Sequence, residues 1–159
     1  MMTSRDRYPI LALLNTHPST SSLFLQMRRV LVDWICECAE EHHLMNSTAH
    51  VAVGLLDKTM QLVRVTREKF QVVALTCLVI AAKYEEKEEN VPAHNTLLQY
   101  IERQQGPGPA LLCDARTVHN MEMLLLTQLQ WSVTIVTPLH YLGLYERKVR
   151  RGRGGCASK

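Results

Sequence analysis

Residues 70–86 read FQVVALTCLVIAAKYEE, and the fold turns on how that run is taken. From Val72 to Ala82 only Thr76 is polar, and the small Ala74, Cys77, Ala81 and Ala82 lie among Val, Leu and Ile. With no polar face, period alone does not separate a buried strand from a buried helix. Length, the alanines and the absence of Gly and Pro decide for a helix. A helix that is apolar all round belongs inside a bundle or a membrane. These eleven residues fall short of the about 20 that cross a bilayer. The reading is a central helix over about 67–86, wrapped by other helices.

The run then ends abruptly. Lys83, Glu85, Glu86, Lys87, Glu88 and Glu89 fall within seven positions, so the helix leaves the core for water. Lys83 stands at this lip, where its stem packs while its ammonium reaches solvent. A solvated helix end accounts for such a run equally well.

Upstream, Tyr8-Pro9 opens a short apolar stretch, Ile10 to Leu14, that reads as a helical strap on the body. Ser19 to Ser22 supply N-cap oxygens for a helix reaching about His43. Its apolar positions are Leu23, Met27, Val30, Leu31, Trp34, Ile35 and Cys38, spaced along one helical face. Asn46-Ser47 caps the next helix, Thr48 to Val63, whose stripe is Val51, Ala52, Leu55, Leu56, Thr59 and Val63. Thr66 caps the central helix, with Glu68 in its first turn.

Downstream, Pro92 starts a short helix carrying Leu97, Leu98 and Ile101. Gly106-Pro107-Gly108-Pro109 breaks the chain; without GK[ST] or a preceding apolar strand it is a linker turn, not a phosphate loop. Asp114 caps a helix over Ala115 to Leu129, with Val118, Met121, Leu125 and Leu129 inward. Trp131 to Val136 reads as extended, and Pro138 restarts a helix that ends near Arg147. The remaining basic residues have no core-forming pattern and read as a disordered tail.

Composition narrows the chemistry. The 159 residues suit one domain, or one domain and the start of another. Residues 1–146 hold 12 Lys/Arg against 15 Asp/Glu, and 147–159 add six basic residues and no acid. An acidic body with a basic tail argues against a nucleic-acid-binding fold. The five cysteines are odd in number and lie mostly in apolar segments, as expected of reduced thiols. Cys36 and Cys38 point to different sides of a helix, and no histidine has metal-ligand spacing, so no metal site is expected. No nucleophile, acid–base pair or cofactor cradle emerges, so the expectation is no enzyme activity, no catalytic residue and no cofactor. The work must lie in surfaces.

Four patches in order carry a resemblance over about Leu23 to Tyr145. They are Met27-Arg28-Arg29-Val30-Leu31-Val32-Asp33-Trp34, Leu55-Leu56-Asp57-Lys58, Ala82-Lys83-Tyr84-Glu85-Glu86, and Met121 to Leu126 with Leu129-Gln130-Trp131 and Thr137-Pro138. Together they resemble the cyclin box, with the J-type cyclins nearest in appearance. The resemblance implies an all-α fold: a five-helix box around the central helix, an N-terminal strap, and one extra helix of an incomplete second box. Its implied divisions are a strap at 1–20, the box at 21–134, the start of a second box at 135–147, and the tail at 148–159.

Site residues follow from the same likeness. Lys83 and Glu122 match the pair with which cyclins hydrogen-bond main-chain groups around a kinase's mobile regulatory helix; a charged donor beside a charged acceptor can grip both polarities of a backbone. Since neither belongs to an inward stripe, replacing them is expected to spare the melting temperature. Arg28 and Asp57 match an internal pair that bridges the first two box helices. Met27, Val30, Leu31, Trp34, Glu37 and Gln71 match a shallow substrate-docking groove, although Met27, Leu31 and Trp34 also lie on the inward stripe. Glu68 and Phe70 depart from the docking pattern, standing where Gly and Leu are usual.

The implied function is a regulatory subunit that activates a cyclin-dependent protein kinase in cell-cycle control, in nucleus or cytoplasm, with ATP and magnesium held by the partner. Two other readings stay open: a truncated isoform that binds a partner without activating it, and a transcription-factor-type cyclin fold that contacts DNA.

Overall fold

The computed structural model describes residues 18–63, 65, 69–105 and 114–153, with side chains from 27 to 103 and from 114 to 151 within those bounds. Its elements in order are α1 (Pro18–Glu41), α2 (Asn46–Leu62), α3 (Phe70–Glu85), a 3-10 turn (Glu88–Asn90), α4 (His94–Gln105), α5 (Ala115–Gln128) and α6 (Pro138–Arg153). The described residues form no strand, and the fold is all-α. The strap segment before Pro18, the caps at Thr66 and Glu68, and the Gly-Pro turn at 106–109 lie outside the described residues.

The apolar run behaves as its composition dictates. All eleven residues from Val72 to Ala82 are buried, and α3 packs against α1, α2 and α5. The Thr76 hydroxyl donates to Val72 O at 2.7 Å, so the one polar side chain in the run is satisfied inside its own helix. Leu31, Ile35, Cys38 and Ala39 of α1 close one side, and Val51, Ala52, Leu55 and Leu56 of α2 another. Leu97 and Ile101 of α4, with Val118 and Leu125 of α5, complete the core. Burial pushes the Cys38 and Cys77 thiols up to about 12, as expected of small core residues.

Several boundaries differ from the sequence reading. α1 begins at Pro18, a residue suited to a first helical turn, so Ser19 to Ser22 lie within the helix rather than capping it. Val30 is 61% exposed, off the inward face that Leu31 and Ile35 share. α2 is not capped by Asn46 or Ser47; its N-cap is Met45, without a side-chain cap. The missing oxygen comes from afar: Met45 N–H and the Thr48 hydroxyl both donate to Glu86 Oε1 at 2.6 Å. Glu86, read as a solvated lip residue, therefore holds the positive end of α2 with its carboxylate.

The chain turns twice through left-handed residues that are not glycine. Leu44 N–H donates to Ala39 O at 2.9 Å and His43 N–H to Glu40 O at 3.0 Å, with His43 at φ 54°. The same paired closure ends α5, where Trp131 N–H donates to Leu126 O at 2.8 Å and Gln130 N–H to Thr127 O at 3.0 Å. Gln130 and Trp131 carry φ of 51° and 58°, so Trp131 belongs to the helix-ending turn and not to the extended segment.

Residues 132–137 then cross α2. Lys58 Nζ donates to Ser132 O at 2.8 Å, and Ile135 lies on Gly54, where an added Cβ would stand 2.8 Å from its Cγ2. Gly54 is needed for that close approach rather than for any unusual φ. Beyond it, α6 extends past Arg147 to Arg153, so residues 148–153 are helical and not a disordered tail. Residues 154–159 lie outside the described region.

Candidate functional site

Three elements meet at the lip: the C-terminal end of α3, the start of α4 and the middle of α5. Asp114 prepares α5 by accepting from Thr117 N–H at 2.8 Å, which caps the helix about two turns before Glu122. α4 begins at His94, two residues after Pro92, because the 3-10 turn Glu88–Asn90 first reverses the chain. That turn brings His94 over the end of α3.

Lys83 and Glu122, 39 positions apart, are in contact. Lys83 Nζ donates to Glu122 Oε1 at 2.6 Å and to Oε2 at 2.9 Å. Their settings are unequal: the lysine side chain is 46% exposed and the glutamate side chain only 6%. Glu122 follows Val118 by one helical turn and precedes Leu125, so it shares their inward face. The expectation that neither residue faces inward is thus wrong for Glu122. Removing Lys83 would strand a buried carboxylate, so melting temperature cannot be spared.

Two histidines complete the surroundings of Glu122. His94 Nε2 lies 3.7 Å from Oε2, and His119 Nδ1 3.8 Å from the same oxygen. Burial, and after it the Lys83 ammonium, hold the His94 imidazole below its ordinary value, with Glu122 pulling the other way. Sequence reasoning passed over both. The signal was their spacing: His119 is one turn before Glu122, and His94 follows Pro92 at the head of a helix.

The lip is braced on its other side by α6. Thr137 N–H donates to His140 Nδ1 at 3.1 Å, which makes Nδ1 an acceptor and leaves the proton on Nε2, 3.5 Å from Glu85 Oε2. Tyr84 and Thr134 share a hydroxyl hydrogen bond at 3.0 Å. Glu85, Glu86, Tyr84 and Lys83 are therefore each engaged with a different element.

Arg28 and Asp57 also meet, through a two-pronged pair. Arg28 Nε donates to Oδ1 at 2.6 Å and Nη2 to Oδ2 at 2.9 Å. The guanidinium, held above its already high value chiefly by this hydrogen bond, ties α1 to a carboxylate that α2 buries among Leu55, Leu56 and Thr59.

The six docking-groove residues differ in exposure. Leu31 is core at 5% exposure, Met27, Trp34 and Gln71 are half-buried, and Val30 and Glu37 are exposed. Leu31 packs in the core, as its place on the inward stripe required. Trp34 packs on the core with its indole N–H buried and without a hydrogen-bond partner among the described residues. Among the described residues, no group of three or more His, Cys, Asp or Glu is arranged to hold a metal ion, and no helix is long and apolar enough to cross a membrane. Cys36 is exposed and Cys38 buried, on different sides of α1.

Comparison with known proteins now bears on this geometry. Residues 4–134 match the family described as Cyclin, N-terminal domain. Human cyclin-J is 33% identical over 121 residues, covering 76% of this chain and 32% of the relative. The G1/S-specific cyclin-E of Caenorhabditis briggsae is 33% identical over 157 residues, covering 96% of this chain and 28% of the relative. Human G2/mitotic-specific cyclin-B2 is 30% identical over 148 residues, covering 87% and 34%. The chain thus spans about a third of the length of these relatives. With residues 4–134 matched to that domain, a stretch that includes the buried α3 and the lip it presents, this chain belongs to the cyclin family.

Proposed function

We propose that the chain is a cyclin-like regulatory subunit that grips a cyclin-dependent protein kinase at the lip of α3 and α5. One observation carries the reading: an ammonium, half in solvent, and a carboxylate on a neighbouring helix stand side by side at the edge of a rigid core. A main chain presented there offers carbonyls to Lys83 and N–H groups to Glu122. Pressed against the kinase's regulatory helix, such a surface would turn that helix inward, letting the kinase's own Lys–Glu pair form. Catalysis then belongs to the partner, with its nucleotide and magnesium.

A second reading, binding without activation, has its own support. Among the described residues α6 leaves Tyr141, Leu142, Tyr145 and Val149 exposed, a face on which a partner could be held without turning the kinase's regulatory helix. A pull-down from cell extract, followed by phosphotransfer assays on the recovered kinase, separates the two. Stimulated phosphotransfer supports activation, and recovery of an unstimulated kinase supports the second reading. Failure to recover any cyclin-dependent kinase sinks both.

A further inference from the structure

Lys83 and Glu122 are two of the four ionisable groups in a cluster centred on the Glu122 carboxylate. The other two are histidines, and their geometry has a consequence for how the pair opens. In the free chain Lys83 Nζ lies on Glu122 at 2.6 and 2.9 Å, so both charges of the proposed grip are already spent on one another. To bond a partner carbonyl, the lysine must loosen from its carboxylate. Its side chain, 46% exposed, can swing outward; Glu122, 6% exposed and fixed on α5, stays. A buried carboxylate without a counter-charge is costly, so something must replace the ammonium.

His94 is placed to do that. Its Nε2 is buried, finds no hydrogen-bond partner among the described residues, and faces Glu122 Oε2 at 3.7 Å. We infer that His94 is a third residue of the interface, which takes a proton from solvent and becomes the counter-ion of Glu122 as Lys83 turns to the partner. This rests on the kinase-binding reading above. The groups that face His94 are Lys83 from α3, and Glu122 and His119 from α5. Glu86 and Glu88 line the same open cavity of about 580 Å³. His119, on the same helix as Glu122 and 60% exposed, is the weaker substitute because water screens its contact with Glu122.

The sign follows from the groups themselves. In the free chain burial, and after it the Lys83 ammonium, disfavour a cation at His94, while Glu122 favours it. Moving Lys83 away removes the opposing charge and keeps Glu122 at 3.7 Å, so the imidazole binds its proton more tightly in the complex than in the free chain. Binding therefore takes up a proton, and affinity rises as pH falls.

Calorimetry of the intact chain with a purified cyclin-dependent kinase, in two buffers of different protonation enthalpy near pH 6.5, about the ordinary imidazole value, reads the proton count. Net uptake is expected, and affinity should rise about two- to fivefold between about pH 8 and pH 6, as linkage requires of a group that binds its proton more tightly in the complex. His94→Gln should abolish most of the uptake and flatten the profile, while His119→Gln should alter it less. Binding with no proton uptake, or uptake that survives His94→Gln, overturns the inference and leaves the kinase reading standing. A chain that binds no kinase overturns both. Within the free protein, histidine titration by NMR gives a separate check: His94 should titrate higher in Lys83→Met and lower in Glu122→Gln. Should Lys83→Met not fold, Glu122→Gln alone decides, and an unchanged His94 there overturns the inference.

Discussion

Helices α3 and α6 are both 16 residues long, yet they sit at opposite ends of the molecule's physics. α3 gives eleven consecutive residues to the core. α6 gives none from Pro138 to Arg151, and it exposes two tyrosines, two leucines and a valine. α3 is held by neighbours on every side, and α6 by its first turn, through Thr137, His140 and Glu85. The difference teaches where stability and recognition are separated in this fold. The lip lies where the fully buried helix surfaces, so the charges there are positioned by the most deeply buried of the described helices.

The sharpest way to break that contrast is to truncate one leucine in each helix. Leu75→Ala removes a fully buried side chain and should cost about 3–5 kcal/mol. Leu142→Ala touches a side chain 56% exposed and should stay within about 0.5 kcal/mol. Urea denaturation measures both. Comparable losses would mean that α6 is as integral as α3.

Next in size is the α1–α2 brace. Arg28→Ala leaves Asp57, only 8% exposed, without its counter-charge, and should cost about 2–4 kcal/mol after allowance for the partly exposed arginine. Lys83→Ala should cost less, about 1–3 kcal/mol, since water reaches that ammonium more freely. A cost for Lys83→Ala equal to or above that of Arg28→Ala would contradict the exposures that set this order.

How much of this was legible beforehand depends on the distance over which each feature is determined. The central helix could be read because eleven residues in a row carried one message, and the partition of Leu97, Leu98 and Ile101 into the core followed from spacing alone. Residue types and likeness singled out Lys83 and Glu122, but not the burial of Glu122, since a glutamate between two methionines looks the same on either face. The α2 cap was invisible because its oxygen comes from Glu86, 41 positions from Met45. Two helix-ending turns escaped because histidine, glutamine and tryptophan stand where glycine is the usual mark. The helical course of residues 148–153 was missed for a related reason: a basic segment with no core pattern can continue a helix it need not bury.

Gly54 offers a smaller and more pointed test. A Cβ there would meet Ile135 at 2.8 and 3.0 Å, so Gly54→Ala should destabilise by about 1 kcal/mol, the crowding outweighing the gain in helix propensity. In an Ile135→Ala background the clash is gone, and the same substitution should become stabilising by up to about 1 kcal/mol. A sign that does not reverse would show that the crossing segment, residues 132–137, does not rest on α2.

The smallest expected effect lies at the far end of α6, and it sharpens the comparison most finely. From Leu144 to Arg151 every residue is exposed, so nothing there contributes packing to the body. Five of the residues from Arg147 to Arg153 are basic; crowded cations at helical spacing repel one another, by a few tenths of a kcal/mol per close pair. Their favourable position near the negative end of the helix dipole offsets part of that repulsion. Ending the chain at Glu146 should therefore lower the helical circular dichroism signal by about one to two turns of helix, while the melting temperature moves by less than about 2 °C. A larger fall in melting temperature would reveal packing that the exposed face of α6 gives no reason to expect, and an unchanged helical signal would return residues 148–153 to the disordered tail that their composition first suggested.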